Sequence, residues 1–426
     1  MKAPSASGPL PPVAIFDNYW APTLAFAFSL GRRGVPLHFY GSGAGHWSRY
    51  CSRRAPCPPI EDAEQFLPWL LQRVRRGEIA RIAPTTDLVA YYVSVLREEF
   101  PPDVRRAIAP LSEIETALIK SRFSAACVAG GQSVPTTHAP EDLPSALQAA
   151  QELGYPLVMK PKAHIVVGAA ERGCVVCDEN DLRANFGPYP VARGQNQLAA
   201  RYPELLWPLL QRYLPAARRR VYSVTGFKDP DGGIVTSMLS YKREQWPPDV
   251  GTSTVQVSAQ EDLILECGTR TVDRLLSRGI FELELVVDHQ HPLAIDLNPR
   301  AFGFINLDIA LGQDLPWLWM RSTLEPVEPQ ADVSPRVALE ARHVLLHFLR
   351  QLADGRTGRS HSDVERRDPS RPRERISMLG HRSDPLPMLI AHARLLRHPR
   401  SLLRTHFANA QSERVRRAVQ LQPSGD

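Results

Sequence analysis

FELELVVDHQHPLAIDLNPRAFGF, residues 281–304, predicts two β-strands joined by a polar turn. A strand that buries one face normally alternates apolar and polar residues. Here Glu284 lies on the first strand, and Asp296, Asn298 and Arg300 lie on or just after the second. Because side chains alternate between the two faces of a strand, these last three residues share one face. So many polar groups on a largely apolar hairpin indicate a binding site.

The residue types of this hairpin favour one kind of metal. Carboxylate and amide oxygens suit Mg²⁺ that bridges nucleotide phosphates, and they do not suit zinc. Glu284, Asp296 and Asn298 are therefore candidate Mg²⁺ ligands. Arg300 is a candidate for stabilising the charge that builds up on a transferring phosphoryl group.

Lysine is rare in this chain, with six lysines among 51 basic residues. A chain that uses arginine for surface charge makes each retained lysine a candidate for work that suits a compact ammonium. Lys120 lies in a predicted helix and Lys160 at the end of a predicted strand. Both are candidate phosphate-binding residues.

Length and composition limit the class of protein. The 426 residues predict about two to four domains. A hydrophobic fraction of 43% and a charged fraction of 23% are typical of a soluble globular protein. The sequence contains no apolar run of about 18 residues, and its first residues lack the apolar region of a signal peptide. We therefore expect no membrane span and a cytoplasmic location.

The net charge of +6 is concentrated in the C-terminal segment. Residues 331–426 hold 18 arginines, no lysine and 10 acids, a net charge of +8, which leaves −2 for residues 1–330. Aromatic residues are not interleaved with these arginines, as stacking on single strands would require. Nucleic-acid binding is therefore not expected.

The N-terminal segment predicts a parallel α/β unit. VAIFD (13–17), a helical stretch and VPLHFYG (35–41) form a strand–helix–strand pattern, and IARIAPTTD (79–87) continues it. Open α/β sheets bind ligands just beyond such strand ends, where the candidate substrate contacts are Asp17, Asn18, Thr86 and Asp87. For Thr86 and Asp87 a helix N-cap is an equally good interpretation, and the same two interpretations apply to Asp17 and Asn18.

The C-terminal segment differs in composition. Residues 336–352 predict a helix, the Arg, Ser and Pro-rich region near 356–385 predicts a linker, and residues 386–407 predict a second helical region. Four arginines fall roughly on one side of this last region: Arg394, Arg397, Arg400 and Arg404. A solvated face and contact with an acidic partner, RNA or a membrane surface remain open interpretations.

The ordered motifs between residues 13 and 325 resemble those of the ATP-grasp enzymes, specifically the carboxylate–amine ligase branch. AIDLNPR is similar to the family's ending, and ELELV to its upstream metal acid. IKSRF and YPLVMKP are similar to the segments that carry the two nucleotide lysines, Lys120 and Lys160. The resemblance of LLQRYLP implies adenine contacts at Gln211 and Leu214. That of YKREQWPPDVGTST implies that Lys242 and Arg243 lie near phosphates or substrate.

The sequence departs from the family pattern at three places. Asp296 replaces the usual Glu, and Gln211 stands where an acid is common. The loop after Lys160, PKAHIVVGAAERGC, has only two glycines where the family's phosphate-covering loop is rich in Gly and Ser. Lys162 and His164 are candidates for electrostatic compensation in this loop, with ordinary surface roles as the alternative.

The resemblance implies an α/β and α+β architecture, the ATP-grasp fold with a Rossmann-like pre-grasp domain and a helical C-terminal extension. The implied boundaries are a pre-grasp domain at 1–112, a central lid domain at 113–205, a C-terminal metal-binding domain at 206–330, and an Arg-rich extension at 331–426.

The implied reaction is ATP-dependent ligation with Mg²⁺, or alternatively Mn²⁺. A substrate carboxylate attacks the γ-phosphate of ATP, and an amine then displaces phosphate from the acyl phosphate to leave an amide or peptide bond. Arg300 and Lys160 would carry the catalytic charge stabilisation. The expected partners are a small carboxylate and an amine, and a homodimer is an open prediction. Two alternatives are an ATP-grasp small-molecule kinase and an ATP-binding scaffold without turnover.

Overall fold

The computed structural model describes residues 9–16, 20–168, 173–246, 251–330, 338–348 and 374–396. Two candidate substrate residues, Asp17 and Asn18, lie outside these ranges, as do the tail arginines Arg397, Arg400 and Arg404. Strands of the described residues form sheets of three, seven and four strands. No helix in the described ranges is long and apolar enough to cross a bilayer.

The N-terminal part is built on a three-stranded parallel sheet. Its elements are β1 (Val13–Phe16), α1 (Trp20–Gly31), β2 (Leu37–Tyr40), β3 (Cys51–Ala55), α2 (Ala63–Arg75), α3 (Asp87–Val95) and α4 (Pro102–Arg105). The predicted β-α-β unit is confirmed, since β1 pairs with β2 in parallel. Ile82 adds a parallel bridge to Ala14, which brings the segment before α3 to the edge of this sheet.

A four-stranded antiparallel sheet, in the order β4-β7-β5-β6, follows in the chain. The elements of this region are α5 (Leu111–Leu118), α6 (Lys120–Ala129), β4 (Thr137–His138), α7 (Leu143–Leu153), β5 (Leu157–Pro161), α8 (His164–Val167), β6 (Cys174–Val176), α9 (Glu179–Asn185), α10 (Asn196–Arg201) and β7 (Pro208–Arg212). Lys160 pairs with Leu209, so Lys160 and Gln211 lie on the same face of the sheet. We call this the lid sheet.

A seven-stranded sheet, the large sheet, has the order β12-β11-β8-β9-β10-β13-β14. The elements of this region are β8 (Val221–Asp229), β9 (Gly233–Trp246), β10 (Thr252–Ala259), α11 (Asp262–Leu275), β11 (Gly279–Asp288), β12 (His291–Asn298), α12 (Asn306–Ala310), α13 (Leu315–Ser322), β13 (Leu339–Arg342), β14 (Glu374–Ser377) and α14 (Pro385–Leu396). The hairpin predicted from residues 281–304 is confirmed as β11 and β12. Its turn residues His289 and Gln290 both have positive φ, as a two-residue type I′ turn requires.

The two faces of the large sheet differ in polarity around β11. Phe281 and Leu283 point to one face, where they join an apolar cluster with Phe123 of α6 and Val272 of α11. Glu282 and Glu284 alternate with them and therefore point to the other face. Helix packing thus holds the hairpin from behind and leaves its acidic face toward the lid sheet.

The described parts of the C-terminal segment correct two predictions. A helix over 336–352 is wrong in its first part, because Leu339–Arg342 form β13, which pairs antiparallel with β10. Part of the region near 356–385 expected to be a linker is also a strand, since β14 pairs in parallel with β13. The open edge of β10 favours strand pairing over the local helical pattern. The helical prediction does hold for α14.

Candidate active site

The acidic face of the β11–β12 hairpin carries four polar side chains. Glu284 and Asp296 are cross-strand partners, and Glu282 is the partner of Asn298. Directly opposed side chains of an antiparallel pair lie about 5 Å apart at Cβ. Sequence reasoning singled out three of the four and missed Glu282. The alternation in FELEL was the available signal, because it places Glu282 and Glu284 on one face.

Two lysines from distant elements reach this face. Lys120, the first residue of α6, places Nζ 2.5 Å from Asp296 Oδ1. Lys242 of β9 places Nζ 2.7 Å from Glu284 Oε1. The backbone amide of Lys120 also donates to the carbonyl of Lys162 at 2.9 Å, which ties the start of α6 to the end of β5. The structure therefore brings together two predicted phosphate-site lysines and two predicted metal ligands.

Lys160 approaches the acids from the lid sheet. Its Nζ lies 3.0 Å from Gln211 Oε1, and Gln211 Nε2 donates to Thr137 Oγ1 at 2.9 Å. The side chain of Gln211 is therefore engaged by Lys160, so an adenine contact at this position would use the backbone. Leu214, the other predicted adenine contact, is buried beside Val221 and Val286. Both adenine contacts remain predictions.

Burial and neighbouring charges shift the pKa values of the site in opposite directions. Burial, followed by the positive charge of Lys120, lowers the pKa of Lys160 to about 8. Burial alone would raise the pKa of Asp296, but the charges of Lys120 and Lys160 outweigh it and lower that pKa. Burial and the charge of Glu284 raise the pKa of Glu282 to about 8. For Lys242, burial is outweighed by the carboxylates of Glu284 and Glu282, and its pKa is raised.

Arg300 links the hairpin to the N-terminal part. Its Nε lies 2.5 Å from Asp87 Oδ1, and its Nη2 donates to Asn298 Oδ1 at 2.9 Å. Thr86 is the N-cap of α3, with its hydroxyl accepting from the amide of Val89. Of the two predicted residues here, Asp87 touches the site and Thr86 shapes the helix that presents it. A substrate contact by either one stays a prediction.

Arg243 lies outside this charge cluster in the described structure. Its guanidinium forms an ion pair with Glu340 of β13, a carboxylate that also pairs with Arg342. Lys242 and Arg243 are consecutive, yet Lys242 faces Glu284 while Arg243 is directed to the edge strand. The resemblance placed both near phosphates or substrate, and only Lys242 contacts a predicted metal ligand.

The loop after β5 contains a short helix, α8, where the family pattern has glycines. His164 starts this helix, and its Nδ1 lies 3.2 Å from the carbonyl oxygen of Gly168. Burial and the charge of Lys120 lower the pKa of His164, so its imidazole is neutral near pH 7. Lys162 is buried beside the carbonyl of Ala139. A neutral His164 does not supply the positive charge considered as compensation for the missing glycines.

The donor set fits Mg²⁺ with help from other ligands. Within the described residues no group of three or more His, Cys, Asp or Glu side chains could hold a metal ion by itself. Mg²⁺ uses one or two carboxylates and completes its shell with water and phosphate oxygens. Glu284 and Asp296 are opposed across the hairpin and supply two carboxylates. The amide oxygen of Asn298 is a third candidate ligand, so the set meets that requirement. A cleft with these oxygens and nearby ammonium groups can hold a metal–polyphosphate complex.

Comparison with solved structures identifies the fold. An L-amino acid ligase from Bacillus licheniformis matches with a TM-score of 0.57 at 17% identity, covering 78% of this chain and 80% of that one. The biotin carboxylase domain of a Hydrogenobacter thermophilus 2-oxoglutarate carboxylase, solved with MgADP and bicarbonate, matches at 0.58 and 12%, covering 76% and 73%. An N5-carboxyaminoimidazole ribonucleotide synthetase from Thermotoga maritima matches at 0.53 and 13%, covering 77% and 79%. No protein-family model and no curated protein sequence matches. The chain therefore has the ATP-grasp fold, as its sequence motifs predicted.

Proposed function

We propose that this ATP-grasp chain is an ATP-dependent carboxylate–amine ligase that forms an amide or peptide bond and releases ADP and phosphate. The observation that carries the proposal is the convergence of Lys120, Lys242 and Arg300 on the polar face of the hairpin. Lys160, on the lid sheet, adds a fourth cation, and its pKa is affected by the charges of Lys120, Asp296 and Glu284. The compared structures include an amino acid ligase and a biotin carboxylase domain, which supports this class of reaction.

Each side chain has a role in the proposed ATP complex. Glu284, Asp296 and Asn298 would hold Mg²⁺, with Mn²⁺ as an alternative, and the metal would supply charge neutralisation at the phosphates. Lys120 and Lys160 bind phosphate oxygens, and Lys242 adds a third ammonium beside Glu284. The backbone around Gln211 and Leu214 contacts adenine. The domain boundaries implied by the motifs belong to the same proposal.

The proposed reaction has two steps. A carboxylate oxygen of the first substrate attacks the γ-phosphorus, the bond to the β–γ bridging oxygen breaks, and ADP leaves. Arg300 and Lys160 stabilise negative charge as it shifts during this transfer. The amine nitrogen of the second substrate then attacks the acyl carbon, loses a proton and expels phosphate. Positioning and charge stabilisation are the work of the protein, so no side-chain nucleophile is needed.

Asp87 is the described residue best placed to contact a substrate from the N-terminal part. It contacts Arg300, so a ligand on this side of the hairpin meets both charges. Asp17, Asn18 and Thr86 complete the proposed substrate contacts, and Arg243 would join them only after leaving Glu340. We further propose a cytoplasmic enzyme, where ATP is available, and a homodimer, which sedimentation would test.

Release of ADP and phosphate tests the proposal. The purified chain would be incubated with Mg²⁺ and ATP against pools of amino acids and other small carboxylates, including bicarbonate, with hydroxylamine as surrogate amine. We expect a hydroxamate with one carboxylate class, because hydroxylamine captures an acyl phosphate. Asn298→Ala should abolish the product while the variant remains folded.

Other outcomes would point elsewhere. ADP and a phosphorylated substrate without hydroxamate would identify a kinase. Tight MgATP binding without ADP formation in any pool would identify a scaffold. Absence of metal-dependent nucleotide binding would contradict the proposed site itself.

A further inference from the structure

Glu282 is a buried glutamate for which the proposed reaction has no role. Its side chain is on the polar face of β11, and only 4% of the residue is exposed. Oε1 accepts a hydrogen bond from Ser223 Oγ at 3.1 Å, and Oε2 accepts one from Asn298 Nδ2 at 3.2 Å. The carboxyl group is thus anchored on one side by β8 and contacts a proposed metal ligand on the other.

Asn298 has an amide whose two ends differ chemically. Its Nδ2 donates to Glu282, while its Oδ1 accepts from Arg300 Nη2 at 2.9 Å. A half-turn of the amide would set Oδ1 against a Glu282 oxygen and the amide nitrogen against the Arg300 guanidinium. Both contacts would be lost, because Arg300 has no acceptor and a carboxylate no donor. Glu282 and Arg300 together therefore select one orientation.

This selection survives a change in the protonation of Glu282. Arg300 is a donor in every protonation state, so it keeps Asn298 Oδ1 on its own side and leaves Nδ2 facing Glu282, whose facing oxygen then accepts. The Ser223 hydroxyl can either donate or accept, and it can adapt to a carboxylate or to a carboxylic acid. The same argument holds for an uncharged amide at position 282, which matters for the choice of variants.

Burying the carboxyl group of Glu282 costs free energy that an apolar side chain at the same position would not. Phe281 and Leu283, its neighbours along β11, are apolar and fully buried on the opposite face. Burial and the nearby charge of Glu284 also oppose ionisation of Glu282. An apolar side chain would avoid this free-energy cost. The presence of a carboxyl therefore indicates that a hydrogen-bond acceptor is needed at residue 282.

We propose that Glu282 is a positioning residue that holds the Asn298 amide with Oδ1 turned toward the Arg300 side of the cleft, and thereby sets the metal dependence of nucleotide binding. The proposal rests on the proposed function, since it assumes that Asn298 Oδ1 is a metal ligand. Glu282 acts through Asn298 and does not itself touch the metal or the nucleotide. Groups that orient metal ligands typically change metal affinity by about 10- to 100-fold when they are replaced.

Two variants separate the reach of the side chain from its charge. Glu282→Gln keeps the length and the acceptor without the negative charge. Glu282→Asp keeps the charge but shortens the arm by one methylene, so it cannot span the contacts to Ser223 and Asn298 together. Glu113→Asp is the matched control, because Glu113 also accepts two hydrogen bonds, from the amide and hydroxyl of Ser277, outside the site.

The measurement is the ratio of ADP affinity with Mg²⁺ to ADP affinity in EDTA, by titration calorimetry on the full chain. We expect Glu282→Asp to lower this ratio by about 10- to 100-fold, with little change in metal-free affinity. Glu282→Gln and Glu113→Asp should retain the ratio. In an Asn298→Ala background, Glu282→Asp should add nothing, since the residue through which it acts is gone. Thermal unfolding checks that each variant is folded.

Several outcomes would overturn the proposal. A loss with Glu282→Gln as large as with Glu282→Asp would show that the negative charge is required as well as the reach, which a residue that only positions Asn298 does not need. An unchanged ratio in Glu282→Asp would show that Asn298 needs no support. Additive losses in the double variant would show a general structural role. If wild-type protein binds ADP equally with and without Mg²⁺, the proposed function of the site fails first, and the two failures are distinguishable.

Discussion

Each carboxylate proposed to bind metal is paired with a lysine in the described structure. Lys120 contacts Asp296, and Lys242 contacts Glu284. Under the proposed function, binding of MgATP exchanges these contacts, so that the carboxylates turn to the metal and the ammonium groups to the phosphates. Before binding, each carboxylate is offset by an ammonium group, which limits the cost of desolvating the acids.

Replacing Asp296 tests this exchange. Asp296→Asn removes a charged metal ligand and leaves Lys120 without its partner, so Mg²⁺-dependent ADP affinity should fall by about tenfold or more, the scale of one interaction with a charged group. Asp296→Glu, which restores the family's usual residue, should retain it. The control is Asp273→Asn, which breaks a lysine–aspartate pair with Lys228 elsewhere. Equal affinity in Asp296→Asn and wild type would contradict the assignment.

The lowered pKa of Lys160 predicts a pH dependence. Its ammonium is charged below a pKa of about 8 and loses its proton above it. Affinity for ADP should therefore fall as pH rises from 7 to 9.5, by up to about tenfold per unit above the pKa. Lys160→Met should bind more weakly at pH 7 and lack this slope, which calorimetry at several pH values would measure. An unchanged slope in Lys160→Met would assign the titration to another group.

The same shift has a defined sign for stability. The pKa of Lys160 in the folded protein lies below its ordinary value of 10.5, so folding disfavours the charged form. This contribution is destabilising below pH 8 and is relieved as pH rises toward 10.5. Lys160→Met should therefore raise the midpoint of thermal unfolding at pH 7, and its advantage should shrink at pH 9.5.

At the scale of secondary-structure elements, helix α11 supports the acidic hairpin from its apolar side. Gly268 of α11 lies so close to β8 that an added Cβ would be 2.5 Å from Val224 Cγ2. Val224 belongs to the apolar cluster that contains Phe281 and Leu283 of β11. The close approach of α11 therefore helps to fix the strand whose other face carries Glu282 and Glu284.

Adding a methyl group at Gly268 should weaken the packing of α11 against the large sheet. Gly268→Ala is expected to destabilise the protein by about 1–3 kcal/mol through overpacking against β8. Val224→Ala in the same chain should recover part of the loss, because it removes the clashing methyl groups. Gly187→Ala is the control, since a Cβ there meets nothing within 4 Å. Denaturant unfolding would measure all three, and a neutral Gly268→Ala would show that α11 can shift freely.

At the scale of the molecule, the proposed site takes residues from three sheets. The N-terminal part contributes Asp87, the lid sheet contributes Lys160, and the large sheet contributes the acidic hairpin. The amide of Ala301 donates to the carbonyl of Pro84 at 2.9 Å, which joins the first and third of these next to Arg300. β13 and β14 extend the large sheet, so these two strands of the C-terminal segment are part of this body.

Replacing Glu340 tests how much β13 contributes to the stability of the large sheet. Glu340 is 1% exposed and pairs with Arg243 of β9 and Arg342 of β13. Glu340→Gln leaves three guanidinium groups poorly compensated, since Arg375 of β14 also lies 3.7 Å from this carboxylate, and a loss of about 3 kcal/mol is expected, at the low end for a buried pair because the arginines are partly exposed. Glu374→Gln, at an exposed position on β14, should be neutral. Equal unfolding midpoints for the two variants would show that β13 adds little to the sheet.

The local chemistry of the hairpin could be predicted from the sequence. The two-residue spacing of Asp296 and Asn298 places them on one face of β12, because strand geometry depends only on neighbours along the chain, and Arg300, two residues beyond the strand, contacts Asn298. The ordered motifs were sufficient to predict the ATP-grasp fold, which the solved structures confirm. The same alternation also predicts a shared face for Glu282, whose importance is visible only when Asn298 Nδ2 is seen to donate to it.

Which side chains form ion pairs with each other was decided by the tertiary structure. Lys120 and Asp296 are 176 residues apart, and Asp87 and Arg300 are 213 apart, so no local pattern relates them. Arg243, predicted near phosphates or substrate, forms an ion pair with Glu340 because the addition of β13 to the sheet brings that carboxylate beside it. Residues 339–342 follow a helical pattern and still form a strand, since pairing with the open edge of β10 outweighs local propensity. Such contacts depend on the packing of the whole chain, and periodicity along the sequence does not predict them.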